Sequence, residues 1–325
     1  MNENQTPLLD VIHLRKTYPV AAGLFSKAPL QLKAVDDVSF SLGKGTTLGL
    51  VGESGCGKTT LARLILNLEE PDAGEVLFNG RDIYALKGDE LKSFRKQVQI
   101  IFQDPYSSLN PRKKVGSIIG EPLRIHRLLP ESDIPARVKE LMDLVGLQQD
   151  QLNRYPHEFS SGQRQRIGIA RALSLNPRVI IADEPVSALD VSIQAQIINL
   201  LQDLQQRMNL TFLFISHDLR VVRYISHRVM VMYLGKIVET AASEELYHTP
   251  LHPYTEALLS AAPVPDPCVN KQRIILAGDS PSPLHPPTGC IFSSRCPVMK
   301  PDTCLEKHPP LEEKKPQHFA ACYLR

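Results

Sequence analysis

Three things are scarce in this sequence: apolar runs, charge of one sign, and internal repetition. No apolar run approaches the roughly 18 residues that a membrane-crossing helix needs. The opening stretch MNENQTPLLDVIHL also lacks the charged-then-apolar pattern of an export signal. Both absences predict a chain made and kept in the cytosol, reaching any membrane only through partners. Excess charge is missing as well: 37 basic residues face 35 acidic ones, a net +2, so bulk electrostatics give nucleic acid binding no support. Neither a repeat nor a low-complexity tract divides the chain. The remainder is ordinary for a soluble protein, with 42% hydrophobic and 22% charged residues. Its 325 residues suffice for about two domains.

Proline draws the main boundary. Twelve of the 26 prolines lie between Pro263 and Pro316, which rules out long helices and central strands there. The expected break falls near residue 260, with an α/β body before it and a loop-rich appendage after it. In the body, apolar β-rich runs at 46–52, 98–103, 178–183, 210–216 and 228–235 alternate with helical periods at 60–69, 135–147, 163–175 and 192–208. Several of these strands are apolar almost throughout, as strands covered on both faces are. The pattern is that of a mostly parallel sheet. Residues from about 105 to 160 break the alternation and read as an inserted helical subdomain.

The strongest motif is GESGCGKT at 52–59, which fits G-x-x-x-x-G-K-[ST] between a predicted strand and a predicted helix. Gly52, Gly55 and Gly57 allow backbone N–H groups to curl around phosphate oxygens. Lys58 brings a charge to the β/γ-phosphates, and the Thr59 hydroxyl can ligate Mg²⁺. Glu53, Ser54, Cys56 and Thr60 complete the loop and its exit. A chance glycine turn is the bland alternative, and the flanking elements weigh against it. RVIIADEP at 178–185 complements the loop. It delivers Asp183, a second Mg²⁺ ligand, to the carboxyl end of a strand, with Glu184 beside it to polarise a water. Gln103 ends one strand and can sense metal and water. His217 ends another and can bond a γ-phosphate.

A second candidate anion site is EFSSGQRQR at 158–166, a helix start with Ser160 as cap. With it the set resembles the ATPase subunit of an ABC transporter. GESGCGKT resembles its Walker A, Gln103 its Q-loop, EFSSGQRQR its signature loop and VIIADE its Walker B with catalytic Glu184. SALD at 187–190 resembles its D-loop, His217 its switch histidine, and Tyr18 stands where the family stacks an aromatic on adenine. The resemblance spans roughly residues 8–259 and implies a RecA-like P-loop ATPase core. It also implies an N-terminal antiparallel β subdomain and the inserted helical subdomain, with a small Pro/Cys-rich domain following at 260–325. It further implies that two such subunits sandwich two ATP molecules head to tail. Tyr18, residues 52–60, Gln103, Asp183, Glu184 and His217 then form this chain's half-site. Ser160, Gly162 and Gln163 contact the partner's nucleotide, and Asp190 links the halves. Ser161 departs from the family's glycine, which adds a Cβ and is expected to weaken the partner's site modestly.

The tail narrows the resemblance. LYHTPLHPYTEALLSAAP (246–263) and SPSPLHPPTGCIFSSRCP (280–297) are similar to the C-terminal region of oligopeptide and dipeptide importer ATPases, as are FQDPYSSLNPR (102–112) and RYPHEFS (154–160). Such systems imply a second ATPase subunit, two integral-membrane permeases, an extracytoplasmic peptide-binding protein and a place on the cytoplasmic face of the inner membrane. Nickel, glutathione or another peptide conjugate are alternative cargoes. A soluble ABC ATPase acting on DNA or the ribosome fits less well, since two ATPase halves in one chain and long coiled coils are both absent. Cys290, Cys296, Cys304 and Cys322 form C-x5-C-x7-C-x17-C. Four cytosolic thiols suit Zn²⁺ or an iron–sulfur cluster, and the bland alternative is four unconnected small hydrophobes. The resemblance implies [4Fe–4S]. Cys268 stands isolated, and Cys56 carries at most an oxidation chemistry.

Overall fold

The computed structural model describes residues 7–20, 30–104, 106, 108–261, 273–276, 278, 281–284 and 286–325. The chain divides into two compact units, one holding residues 42–47 and 78–215, the other residues 9–41, 48–77 and 216–325.

The first unit carries the parallel strands Val98–Ile101, Val179–Asp183 and Thr211–Ser216, in register from Val98 beside Val179 and Val179 beside Thr211. Every residue of Val179–Asp183 and of Thr211–Ser216 is buried, which is why those stretches are apolar without alternation. The helices Gly88–Gln97, Val115–Ile125, Ile134–Leu144, Ser161–Leu173 and Val191–Met208 belong to the same unit. The last of these shows why such segments were legible. Asp190 caps it by accepting the Ile193 N–H at 3.0 Å, Asn209 ends it with φ of 51°, and Ile197, Leu201 and Leu204 bury one face. Between residues 105 and 160 the described residues form two α-helices and two short 3₁₀ turns, the helical region that the sequence led us to expect.

In the second unit the strands Leu30–Leu42, Leu9–Val20 and Ala73–Phe78 lie side by side. The unit also holds five strands of a mixed sheet, in the order Glu312–Lys315, His318–Ala320, Lys236–Ala242, Arg228–Tyr233, Thr47–Val51. Among these five, the pair Arg228–Tyr233 and Thr47–Val51 is parallel and the others are antiparallel. The tail therefore supplies two short strands, one of them interior, where proline density argued against central strands. They fit because Pro309, Pro310 and Pro316 flank the strands and none falls inside one. The buried Glu239 carboxylate fixes them. It accepts the Leu251 N–H at 2.7 Å, the His252 N–H at 2.9 Å and a hydrogen bond with His318 Nε2 at 2.6 Å. Glu239 and His318 side chains are fully shielded from solvent. One carboxylate thus ties the C-terminal strand and the start of the helix Pro253–Ala261 to the body. Burial also pushes the His252 imidazole down to about 4, so that ring is neutral at pH 7. Glu239→Ala strands three donors around a buried site and is expected to cost about 3 kcal/mol in denaturant unfolding, against less than about 0.5 kcal/mol for an exposed control such as Glu306→Ala.

Candidate active site

The loop at 52–59 leaves the strand Thr47–Val51 and enters the helix Lys58–Ile65. Its glycines have different reasons. A Cβ on Gly52 would lie 2.2 Å from the Met232 carbonyl oxygen, and one on Gly57 would lie 2.0 Å from that of Ala34. Those two are required by close approach of the protein itself, and Gly57 also caps the helix with φ of 112°. Gly55, with φ of 79°, meets nothing within 4 Å. It is exposed, as are Ser54 and Thr59, so this side of the loop is the one open to a ligand. The Lys58 ammonium is buried and donates to the carbonyls of Gly52 at 2.8 Å and Glu53 at 3.0 Å. It thereby takes up two of the loop's own carbonyls. Cys56 is buried and burial pushes its thiol up, so it packs the loop as a protonated thiol.

Glu53 is held from two directions that sequence reasoning missed. Its N–H donates to the Tyr254 hydroxyl at 3.0 Å, and Arg295 Nη1 lies 3.0 Å from both of its carboxylate oxygens. No local motif announces either partner; the only signal was a carboxylate inside a loop meant for anions. Tyr18 is half-buried, hydrogen-bonded to Glu69 and lying under the Lys16 ammonium at 5.6 Å. Burial and Glu69 raise its hydroxyl, while Thr60, just past the loop, hydrogen-bonds it and opposes that rise. The proposed adenine platform therefore stands beside the helix that the loop opens.

In the other unit Asp183 is buried at the end of its strand, and Glu184 follows with φ of 48°, an uncommon backbone for a carboxylate residue. The Glu184 N–H donates to the Ile215 carbonyl at 2.9 Å, and its Oε2 accepts from Gln103 Nε2 at 3.0 Å. Gln103 and Glu184 are thus together. His217 is exposed and follows the strand Thr211–Ser216. Asp190 is exposed, and hydrogen bonds from the Ser192 hydroxyl and the Ile193 N–H hold its carboxyl below the usual range.

EFSSGQRQR is a capping box: Gln163 N–H donates to Ser160 Oγ at 3.3 Å and Ser160 N–H to Gln163 Oε1 at 3.0 Å. The close-approach residue is Gly162, where a Cβ would meet Ile193 Cγ2 at 2.5 Å. Ser161 is an exposed first residue of the helix, so its Cβ strains nothing within this chain. The same helix grips the chain beyond Gln103. Gln165 Nε2 donates to the Phe102 carbonyl at 3.5 Å, Arg171 Nη1 to that of Ser108 at 2.6 Å, and Arg164 lies over the Tyr106 ring at 5.2 Å.

Cys290, Cys296, Cys304 and Cys322 line one small cavity with His252 and Phe292. Burial pushes the Cys290 thiol up to about 11 and raises those of Cys296 and Cys322. The four are brought together, yet among the described residues no three His, Cys, Asp or Glu donors form a ready coordination shell. Cys268 lies outside the described residues.

A cradle loop at a helix start, a buried aspartate and glutamate ending a parallel strand, and a capped serine-glycine helix together define an ABC-type P-loop ATPase. The ABC transporter family pattern matches residues 35–187, and that of the oligopeptide/dipeptide transporter C-terminal region matches residues 238–304. The "Oligopeptide transport ATP-binding protein AppF" of Bacillus subtilis is 56% identical over 99% of this chain and 98% of its own. The "Oligopeptide transport ATP-binding protein OppF" of Salmonella typhimurium is 53% identical over 98% and 97%. Among solved structures, cbiO1 from Clostridium perfringens superposes with a TM-score of 0.65 at 25% identity, over 75% of this chain and 92% of that one. The ATP-binding cassette MJ0796, a dimer bound to ADP and Pi, gives 0.64 at 27% identity over 72% and 98%. The chain belongs to the oligopeptide/dipeptide branch of the ABC transporter ATP-binding proteins, and is an ATP-hydrolysing enzyme. Because Ser161 is exposed and helical, Ser161→Gly should leave the ATPase rate of the assembled transporter within about twofold of wild type or slightly above it. A loss above tenfold would reveal a contact of that hydroxyl outside this chain.

Proposed function

We propose that this chain energises an importer of oligopeptides or dipeptides, working as a peripheral subunit on the cytoplasmic face of the membrane. The observation that carries this reading is identity above half, end to end, with two proteins named for oligopeptide transport. That no helix among the described residues is long and apolar enough to cross a membrane accords with a peripheral place. Its partners are a second ATPase subunit, two permeases and an extracytoplasmic peptide-binding protein. Residues 8–259 form the ATPase domain, with the helical insert at about 105–160, and 260–325 the C-terminal domain.

Residues 52–60 and Tyr18 take the phosphates and adenine of this chain's ATP. Thr59, Asp183 and Gln103 offer a hydroxyl, a carboxylate and an amide oxygen, hard donors of the kind Mg²⁺ takes, which would neutralise phosphate charge. Glu184 takes the proton of the attacking water, and the hydrogen bond from Gln103 orients its carboxylate. His217 contacts the γ-phosphate. Ser160, Gly162 and Gln163 face the partner's nucleotide, and Asp190 lies at the junction of the halves. The grip of the signature helix on Phe102, Tyr106 and Ser108 is the physical link by which closure would reach the permeases. Glu184→Gln in the reassembled transporter should bind ATP but stop labelled-peptide uptake and single-turnover hydrolysis at this chain's site. Uptake near wild-type rate would overturn the assignment.

The cysteine cavity is read as a soft-metal site, with [4Fe–4S] first, on the chemistry of four thiols sharing one cavity; ligation would require them to draw together and lose their protons. Protein purified anaerobically should contain iron and acid-labile sulfide in equal amounts. Zinc without iron would overturn the cluster.

A further inference from the structure

The loop at 52–59 contains a carboxylate in its second position. A negative side chain there opposes a triphosphate unless another charge neutralises it. The neutralising charge comes from the far end of the sequence. Arg295 reaches both Glu53 oxygens at 3.0 Å, and the pair is well shielded, the two side chains being 11% and 29% exposed. Beside it the Tyr254 hydroxyl takes the Glu53 N–H at 3.0 Å. Tyr254 is fully buried and packs its ring against Tyr233 at 4.6 Å and Phe292 at 5.5 Å. Glu53 is thus held at side chain and backbone by residues about 200 and 240 positions away in sequence. The hold is stiff because of the turn that aims Arg295. The Ser293 N–H donates to the Cys290 carbonyl at 2.9 Å, and the Cys296 N–H to that of Ser293 at 3.4 Å. That turn sits between two of the four cysteines lining the cavity described above.

We propose that Arg295 is a positioning residue of the nucleotide site, acting through Glu53 to neutralise and fix the phosphate loop, with Tyr254 as its backbone counterpart. The Pro/Cys-rich region is then part of the ATP site rather than an appendage to it. This rests on the reading of residues 52–59 as the ATP loop. Titration of the full chain with fluorescent Mg-ATP, and steady-state kinetics of the assembled transporter, test it. Arg295→Ala should raise the ATP Kd and KM about tenfold, equivalent to about 1.4 kcal/mol, with kcat within about twofold. Arg295→Lys keeps the charge without the planar fork and should recover part of the loss. Arg295→Gln substitutes for the alanine variant if that chain unfolds, with the same loss expected. In a Glu53→Ala background Arg295→Ala should add much less, because the contact with Glu53 is gone and what remains is the hydrogen bond with Tyr233. Unchanged ATP affinity, or an equal loss in both backgrounds, would overturn the proposal. Lys58→Ala serves as the control: if it binds ATP as wild type does, the ATP-loop reading itself fails, whatever Arg295 does.

Discussion

A backbone that is to wrap a triphosphate must keep some of its N–H groups available to the ligand while the loop around them is held in place, and the rest of this nucleotide loop is organised around that demand. Left alone, such a loop would turn its amides onto its own carbonyls. Here other donors take much of that capacity: Lys58 donates to the carbonyls of Gly52 and Glu53, the latter shared with the Cys56 N–H at 3.3 Å, and the Gly235 N–H takes that of Cys56 at 2.9 Å. Gly52 and Gly57 let neighbouring backbone press close against the loop, which fixes its path. Preorganisation of this kind moves the cost of ordering from binding to folding.

Much of this was legible in the sequence, for identifiable reasons. Strands such as VIIAD are covered on both faces, so they are apolar throughout and hard to mistake. The helix at 191–208 carries an aspartate cap, a helical apolar stripe and an asparagine stop, all of them local signals. The short strand His318–Ala320 was not legible. Its three residues carry no periodicity, and what recruits it is a buried carboxylate 79 positions away. Glu239 in sequence is one acidic residue among 35. Its meaning comes only from the two amides and one imidazole that the fold brings to it.

The same division runs through the functional residues. Loop, strand-end carboxylates and capping box are compact motifs whose spacing encodes their geometry. Arg295 and Tyr254 are long-range partners of Glu53 and have no motif. Ser161 is a different case: the resemblance marked it as the departure from the family's glycine, and within this chain the steric limit falls one residue later, at Gly162 against Ile193. The four cysteines fall between these cases. Their number and the resemblance suggested a cluster, the fold does gather them around one cavity, and among the described residues the coordination shell is not preformed.

If the phosphate loop holds one side of ATP and the capped helix at 160–163 awaits a nucleotide held elsewhere, then no single chain completes a site. Photocrosslinking tests this most directly, using an ATP analogue that carries two photoreactive groups on its γ-phosphate and an assembled transporter with one ATPase subunit isotopically labelled. The account predicts that every doubly linked nucleotide joins the 52–59 loop of one subunit to the signature loop of the other. Nucleotide linked to residues 52–59 and 160–163 of the same chain would contradict it.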